Sequence, residues 1–217
     1  MNQAGDHVHD QAHNRAGGLR AIARDAARQR LSDVAVDLFA VHGFESVTIE
    51  QIAEEAGISA RSVHRYFAAK EDMVIGLFEA NGEFVRDALL DRPLDEPVMT
   101  SLHAAYAALI RRGPERAHDK VAMRLLANTP SVRARNLEKH LVWSELMTPI
   151  VAERLEGADA HLRARVLVHA SLSAFQLALM AWADDPEERP ITQLLALTFR
   201  DLREQAGDPP ETVRAMG

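Results

Sequence analysis

Residues 48–70, TIEQIAEEAGISARSVHRYFAAK, read as two short helices joined by a tight glycine turn, and few folds accommodate such a pair. Thr48 and Gln51 have the T-x-x-Q spacing of a capping box, so a helix is expected from Ile49, burying Ile49, Ile52, Ala53 and Ala56. Gly57 can take the left-handed conformation that ends a helix, and Ser59 offers an N-cap oxygen to the next one. In that second helix Val63 and Phe67 form one apolar stripe at i, i+4, and Ala60, Arg61, Ser62, His64 and Arg65 cover the remainder with donors and small groups. A short helix anchored on one side and carrying an Arg/Ser/His face on the other suits the major groove of DNA.

The longer stretch GFESVTIEQIAEEAGISARSVHRYFAAKEDMV resembles the DNA-binding segment of the tetracycline-repressor (TetR) family of bacterial transcription regulators. The resemblance runs from about Leu31 to Leu77. It rests on the Gly-Phe after the first helix, the I-A-x-x-A-G-I-S turn, the Tyr66-Phe67 pair and the K-E-D that opens the following helix. Two positions depart from the family pattern: His64 stands where an aromatic is usual, and Ala69 stands where Ser usually caps the fourth helix. The lost cap costs about 1 kcal/mol, partly offset by Glu71 and Asp72 in the first turn. On this reading Arg61 and Arg65 reach guanine edges or flanking phosphates, and Thr48, His64, Tyr66 and Lys70 hold phosphates. Arg28, Ser59, Ala60 and Ser62 complete the expected double-stranded DNA interface.

Overall charge does not carry such binding. The chain has 25 basic and 32 acidic side chains, net −7, and residues 1–75 hold 8 against 11. Affinity for a polyanion must come from clustering, as in Arg15, Arg20, Arg24, Arg28 and Arg30 against Asp25 alone. Residues 1–18 are polar and aperiodic and are read as a disordered arm. His7, His9 and His13 could together bind a metal there, but a mobile tail gives no fixed geometry, and neither metal nor cofactor is expected. Zero Cys excludes disulfides and thiolate metal sites and is compatible with the expected cytoplasmic location. With no uninterrupted apolar run of 18 residues and no apolar segment at the start, neither a membrane span nor a signal peptide is expected.

The rest reads as all-α. One helix is expected from about Leu19 to His42, with Leu31, Val34, Ala35, Leu38 and Phe39 inward, and another from Lys70 to about Leu90. Five more follow over 98–112, 115–128, 131–156, 159–184 and 191–205, broken by Gly113-Pro114, Thr129-Pro130, Gly157, Pro186 and Pro190. The expected organisation is an arm (1–18), a three-helix helix-turn-helix DNA-binding domain (19–75), a helical ligand-binding and dimerisation domain (76–206) and a tail (207–217).

Segment 159–184 is apolar around much of its circumference, which calls for partners on two sides. The family resemblance implies that one is the same helix pair, 159–184 with 191–205, of a second copy. Together they would form a four-helix bundle across a two-fold axis, with Val168, Ser171, Leu172, Leu195, Phe199 and Leu202 at the interface. A homodimer of this kind would match a palindromic operator with half-sites about 10 base pairs, or a multiple, apart. A small-molecule effector pocket is expected among Phe84, Tyr106, Leu109, Met123, His140, Trp143, Met147, Phe175 and Leu179. His140 and Trp143 share one face at i, i+3 and bring polar handles to it. Residues 125–155 are similar to the ligand domain of mycofactocin-type regulators. That similarity implies acyl-CoA-like ligands, whose phosphates Arg124, Arg133, Arg135 and Lys139 could meet.

Together these features favour a repressor released from DNA by a small apolar or acyl-type ligand. A helical-bundle enzyme or metal-binding protein is the first alternative, but H-E-x-x-H, G-x-S-x-G, G-x-G-x-x-G and P-loop spacings are absent and E-x-x-H occurs only once, at Glu115–His118, so no enzymatic activity is expected. A protein-interaction module is the second. It would leave the Arg/Ser/His face without a purpose.

Overall fold

The computed structural model describes the backbone of residues 6–76, 79–112 and 117–206 and the side chains of 23–76, 81–112 and 119–203. It is 78% helical. Ten helices are found among the described residues: α1 (Asp6–His42), α2 (Ile49–Glu55), α3 (Ala60–Tyr66), α4 (Glu71–Ile75), α5 (Glu79–Leu90), α6 (Val98–Arg111), α7 (Ala117–Asn128), α8 (Pro130–Ala152), α9 (Ala160–Ala183) and α10 (Ile191–Ala206). The chain divides into two compact units after Met73, inside α4.

In the first unit, Leu31, Ala35, Val36 and Phe39 of α1 bury one stripe together with Phe44, Val47, Ile52, Ala53, Val63, Phe67 and Met73. Phe39 and Phe44 pack with ring centroids 4.7 Å apart. Val34 and Leu38, expected inward, are half-exposed, and Val36 takes the core position beside Ala35. Helix α1 also begins earlier than the sequence suggests, at Asp6 instead of near Leu19. Elongating an existing helix costs far less than nucleating one, so a polar stretch without proline can continue an anchored helix. The imidazoles of His7, His9 and His13 and the guanidinium groups of Arg15 and Arg20 lie outside the described side chains.

The two short helices are built by their caps. Thr48 and Gln51 close the full capping box, Thr48 N donating to Gln51 Oε1 at 2.9 Å and Gln51 N to Thr48 Oγ1 at 3.3 Å. At the other end of α2, Gly57 has φ 69°. Its N–H donates to Glu54 O (3.0 Å) and that of Ile58 to Ala53 O (2.9 Å), the paired bonds of a Schellman stop. Ser59 then caps α3 through Ser62 N at 3.2 Å. Helix α4 lacks a cap oxygen at Ala69, and Asp72 reaches back from N3 to accept from Ala69 N at 3.2 Å. That bond is half of a capping box, and the reading from Ser-to-Ala loss alone overlooks it.

The single helix expected over Lys70–Leu90 is instead two described segments, α4 and α5, with a short 3₁₀ turn at Gly76 and residues 77–78, including Leu77, outside the described ones.

The second unit packs α5 to α10 around one core. Its centre holds Met99, Leu102, Tyr106, Met147, Val151, Val168, Leu172, Phe175, Leu195 and Phe199. Pro130 and the positive-φ Gly157 stand at the expected breaks, and Pro97 immediately precedes α6. Arg154, just past α8, fastens the far end of α5. Its guanidinium donates to Leu89 O (2.9 Å), Arg92 O (3.0 Å), Pro93 O (2.7 Å) and Ser101 Oγ (3.1 Å). Leu89 O is among the last carbonyls of α5, and Arg92 O and Pro93 O belong to the turn that follows it. Beside it Glu96 accepts from Arg92 and from Ser101 Oγ, the latter at 2.6 Å, and the Arg92 hydrogen bond holds its carboxyl below the usual range.

Helix α9 packs against α6, α7, α8 and α10. From Val166 to Ala183 it carries no Asp, Glu, Lys or Arg, and its mean hydropathy reaches 1.6. By length and composition alone it is, among the described residues, a helix that could cross a membrane. The expectation of no such window overlooked it because His169, Ser171, Ser173 and Gln176 interrupt the apolar run. Its inward positions, Ala164, Val168, Ser171, Leu172, Phe175, Ala178 and Trp182, are buried in the core of its own unit. Leu162, Val166 and Leu177 on the opposite side are 60%, 61% and 59% exposed.

Candidate functional site

The first site is the outward face of α3. With Val63 at 0% and Phe67 at 3% exposure holding the helix to its core, Arg61, His64 and Arg65 stand exposed and Ala60, Ser62 and Tyr66 half-exposed. Arg65 lies over the Tyr66 ring at 5.2 Å, a flat cation on a flat ring, so the pair presents one surface. Ser59 and Ser62 share a hydroxyl–hydroxyl bond of 2.9 Å at the start of the helix. Arg28 of α1 is stacked on Phe67 at 5.2 Å and half-buried, which positions α1 against the reading helix.

Two of the expected phosphate contacts have other work. Thr48 uses its hydroxyl within the cap. The ammonium of Lys70 donates to Phe44 O at 2.8 Å and Val47 O at 3.4 Å and sits 4.4 Å from the Phe44 ring centroid. Lys70 thereby clamps the turn between α1 and α2. The sequence places it beside the DNA, but its side chain is folded back, 22% exposed. The reason is chemical: the carbonyls of that turn need a donor, and a four-carbon stem can reach them.

The second site is a small pocket in the second unit, its cavity about 30 Å³. Met123 and Leu126 of α7, Asn136, Lys139, His140 and Trp143 of α8, and Phe175, Gln176 and Leu179 of α9 line it. Of the residues expected there, Met123, His140, Trp143, Phe175 and Leu179 are brought together. Tyr106, Leu109 and Met147 are not on the wall but in the buried core. Tyr106 stacks on Phe175 at 4.6 Å and 12°, and its hydroxyl meets Ser171 Oγ at 3.2 Å and Met147 Sδ at 3.7 Å; burial pushes its pKa up. Phe84 is partly buried elsewhere on the core, beneath Arg112 at 4.8 Å.

Leu126, Asn136 and Gln176 were missed. Asn136 had a signal in the sequence, four residues before His140 and so on the same face. The two side chains approach to 3.4 Å. Burial, and secondarily His169, holds His140 below the ordinary histidine pKa, so it is neutral at pH 7; His169 itself bonds Ser144 Oγ at 3.1 Å.

The indole of Trp143 offers less polarity than expected. Its Nε1 and Cδ1 are turned to Gly82 of α5, where a Cβ would come within 2.6 and 2.7 Å of them. Only a residue without a side chain lets α5 lie so close. Three expected phosphate binders are likewise engaged: Arg124 on Asp184 (2.7 Å) and Ala183 O (2.5 Å), Arg133 on Ala127 O (2.7 Å) and Arg135 on Glu138 (2.6 Å).

The expected interface set is also corrected. Val168, Ser171, Leu172, Leu195 and Phe199 are at most 1% exposed and belong to the protomer's own core, and Leu202 packs against that core. A helix apolar on every side does not reveal in sequence which side faces inward.

Residues 31–77 match the family model of bacterial regulatory proteins of the tetR family, and residues 96–207 match that of the MftR C-terminal domain. The chain belongs to the TetR family. Like the other members it is a DNA-binding transcriptional regulator, which points away from an enzyme. This TetR-family chain is 28% identical over 177 residues to a protein described as the mycofactocin biosynthesis transcriptional regulator MftR of Mycobacterium tuberculosis, covering 81% of this chain and 89% of that one. It is 32% identical over 149 residues to the regulator TcmR of Streptomyces glaucescens, covering 65% and 66%. Among solved structures the TetR-family fold recurs in a SmeT–triclosan complex (TM-score 0.59, 20% identity, 88% and 99% covered). It recurs also in FadR from Bacillus subtilis with stearoyl-CoA (TM-score 0.52, 17% identity, 80% and 96% covered).

Proposed function

We propose that the protein is a homodimeric repressor that reads a palindromic operator through α3 and is released when a small, largely apolar ligand fills the α7–α8–α9 pocket. The observation that carries this is the juxtaposition of Gly82 and Trp143. Trp143 is a wall of the pocket, Gly82 lies against its indole, and α5 follows α4 after only residues 76–78. A ligand that displaces the indole therefore displaces α5, the element joined in sequence to the DNA-binding unit. By linkage it weakens operator binding by the factor with which it prefers the displaced state, typically about 5- to 150-fold. The triclosan and stearoyl-CoA bound by proteins of the same fold support an apolar ligand.

The dimer contact belongs on the outward side of α9 and α10, on Leu162, Val166, Leu177 and Leu197. An apolar stripe along a soluble helix calls for a cover, and a second copy aligned by a two-fold axis supplies it. Arg61 is the base reader and Arg28, His64, Arg65 and Tyr66 hold phosphates, in a protein of the cytoplasm.

The experiment is a mobility shift on the intergenic DNA beside the gene, searched for an inverted repeat. Arg61→Ala should cost about 1 to 3 kcal/mol on the operator and much less on random DNA. Equal weakening on both would remove its role as a base reader.

A further inference from the structure

We infer that the first half of α1 is a second DNA-binding element, whose arginine row meets the phosphates flanking the segment read by α3 and supplies most of the non-specific affinity for duplex. The inference rests on the reading of α3 as the DNA reader, and on neither the operator, the effector nor the dimer. Charge calls for it. Residues 31–75, which hold the helix-turn-helix, carry three basic side chains against eight acidic ones. Of the three, Lys70 is engaged by the carbonyls of Phe44 and Val47. Arg61 and Arg65 thus face a polyanion in company with the exposed Glu45, Glu50, Glu54 and Glu55. Non-specific binding comes almost wholly from phosphate contacts, and two cations among that many carboxylates do not provide it. The balance is reversed just upstream, where residues 14–30 carry five arginines and one aspartate.

Geometry points the same way. Arg24, Arg28, Ser32 and Val36 follow at intervals of four and form one row on α1. One end of the row is core, with Ser32 and Val36 buried. Arg28 is half-buried, its guanidinium 5.2 Å from the ring centroid of Phe67, the residue that ends α3. Arg24, one turn further out, is exposed, and no residue from 23 to 30 is buried. The side of α1 that packs on the helix-turn-helix therefore runs out past the end of the reading helix. From Arg28 the helix continues to Asp6, about 33 Å away, and position 20 extends the row with another Arg. A helix carried outside the core of its own unit gains little from packing there. Duplex DNA, with one phosphate per about 1.7 Å of its axis, is a partner of the opposite charge that α3 already brings alongside.

The test is the salt dependence of binding to a random-sequence duplex, followed by fluorescence anisotropy of the labelled DNA with the full chain. The slope of log Kobs against log salt is about −0.9 per phosphate contacted. Arg24→Gln should make that slope shallower by about 0.9 for each protomer bound, at unchanged helix content. Arg20→Gln, one turn further from the core, should act likewise and serves if the first variant folds poorly. Arg30→Gln is the control. It removes the same charge from an exposed site about 200° round the helix from Arg28 and should keep the parent's slope. A slope at the parent's value in both Arg24→Gln and Arg20→Gln overturns the inference. So does an equal change in Arg30→Gln, which would mean that overall charge alone counts. A parent that binds no duplex at all overturns the reading of α3 as well.

Discussion

Replacing Gly82 with alanine asks one methyl group to occupy space that the indole of Trp143 already fills. The added Cβ would stand 2.6 Å from Nε1, 2.7 Å from Cδ1 and 3.1 Å from Cε2, where ordinary contact begins near 3.4 Å. The indole or α5 must therefore yield by roughly 0.8 Å. Trp143 is 5% exposed and has little free space to enter except the pocket. Overpacking of this kind costs about 1 to 3 kcal/mol, and the helix preference of Ala over Gly returns about 1 kcal/mol. Gly82→Ala should thus be up to about 2 kcal/mol less stable than the parent, with shifted tryptophan emission. It should also mimic the ligand, lowering operator affinity with no effector present. Urea denaturation, fluorescence and a mobility shift measure the three effects. Pairing it with Trp143→Leu should give a coupling energy above about 0.5 kcal/mol. A Gly82→Ala protein about 1 kcal/mol more stable than the parent, with unchanged emission and operator affinity, would show that the contact transmits nothing.

Lys70→Met, which keeps the stem and removes the ammonium, should destabilise the first unit by about 1 to 3 kcal/mol, read by chemical denaturation. A variant as stable as the parent but weaker on all DNA would return Lys70 to the phosphate backbone. Val166→Glu with Leu177→Glu should sediment at the 24.0 kDa chain mass and stay helical, and the parent should sediment at twice that mass. Acidification should reduce stability in two windows. His140, its pKa lowered by burial, is neutral in both states above about 6.5, and stability falls from there as the unfolded chain alone takes up the proton. Asp185, its pKa lowered by the Arg189 hydrogen bonds, contributes fully above 3.8 and is lost below that. His140→Gln should remove the first window and Asp185→Asn the second in a pH series of melting curves.

Local chemistry made the helix-turn-helix legible. The caps at Thr48, Gly57 and Ser59 act over three to five residues, and that is the range over which a sequence declares itself. Helix ends set by Gly157, Pro130 and Pro97 were readable for the same reason. The pocket was half legible: aromatic and methionine residues were found, but Tyr106, Leu109 and Met147 lie in the core and Asn136 and Gln176 in the lining, a distinction set by packing between helices. The Gly82–Trp143 contact joins residues far apart in sequence and leaves no periodic trace. The α9 residues expected at an interface are buried within the chain's own core, because hydrophobicity along that helix has no preferred direction.

The Arg154 clamp gives α5 the mechanics of a lever. With Leu89 O and the turn just after the helix held by one guanidinium, the fulcrum lies near Leu89. At about 1.5 Å per residue, Gly82 sits about 10 Å from that fulcrum and the start of the helix, Glu79, about 15 Å. A push of roughly 0.8 Å at Gly82 thus arrives as roughly 1.2 Å at the end joined to α4. Loosening the clamp would let the whole rod slide instead of pivot, and the ligand would then move both ends a little and the DNA-binding end less.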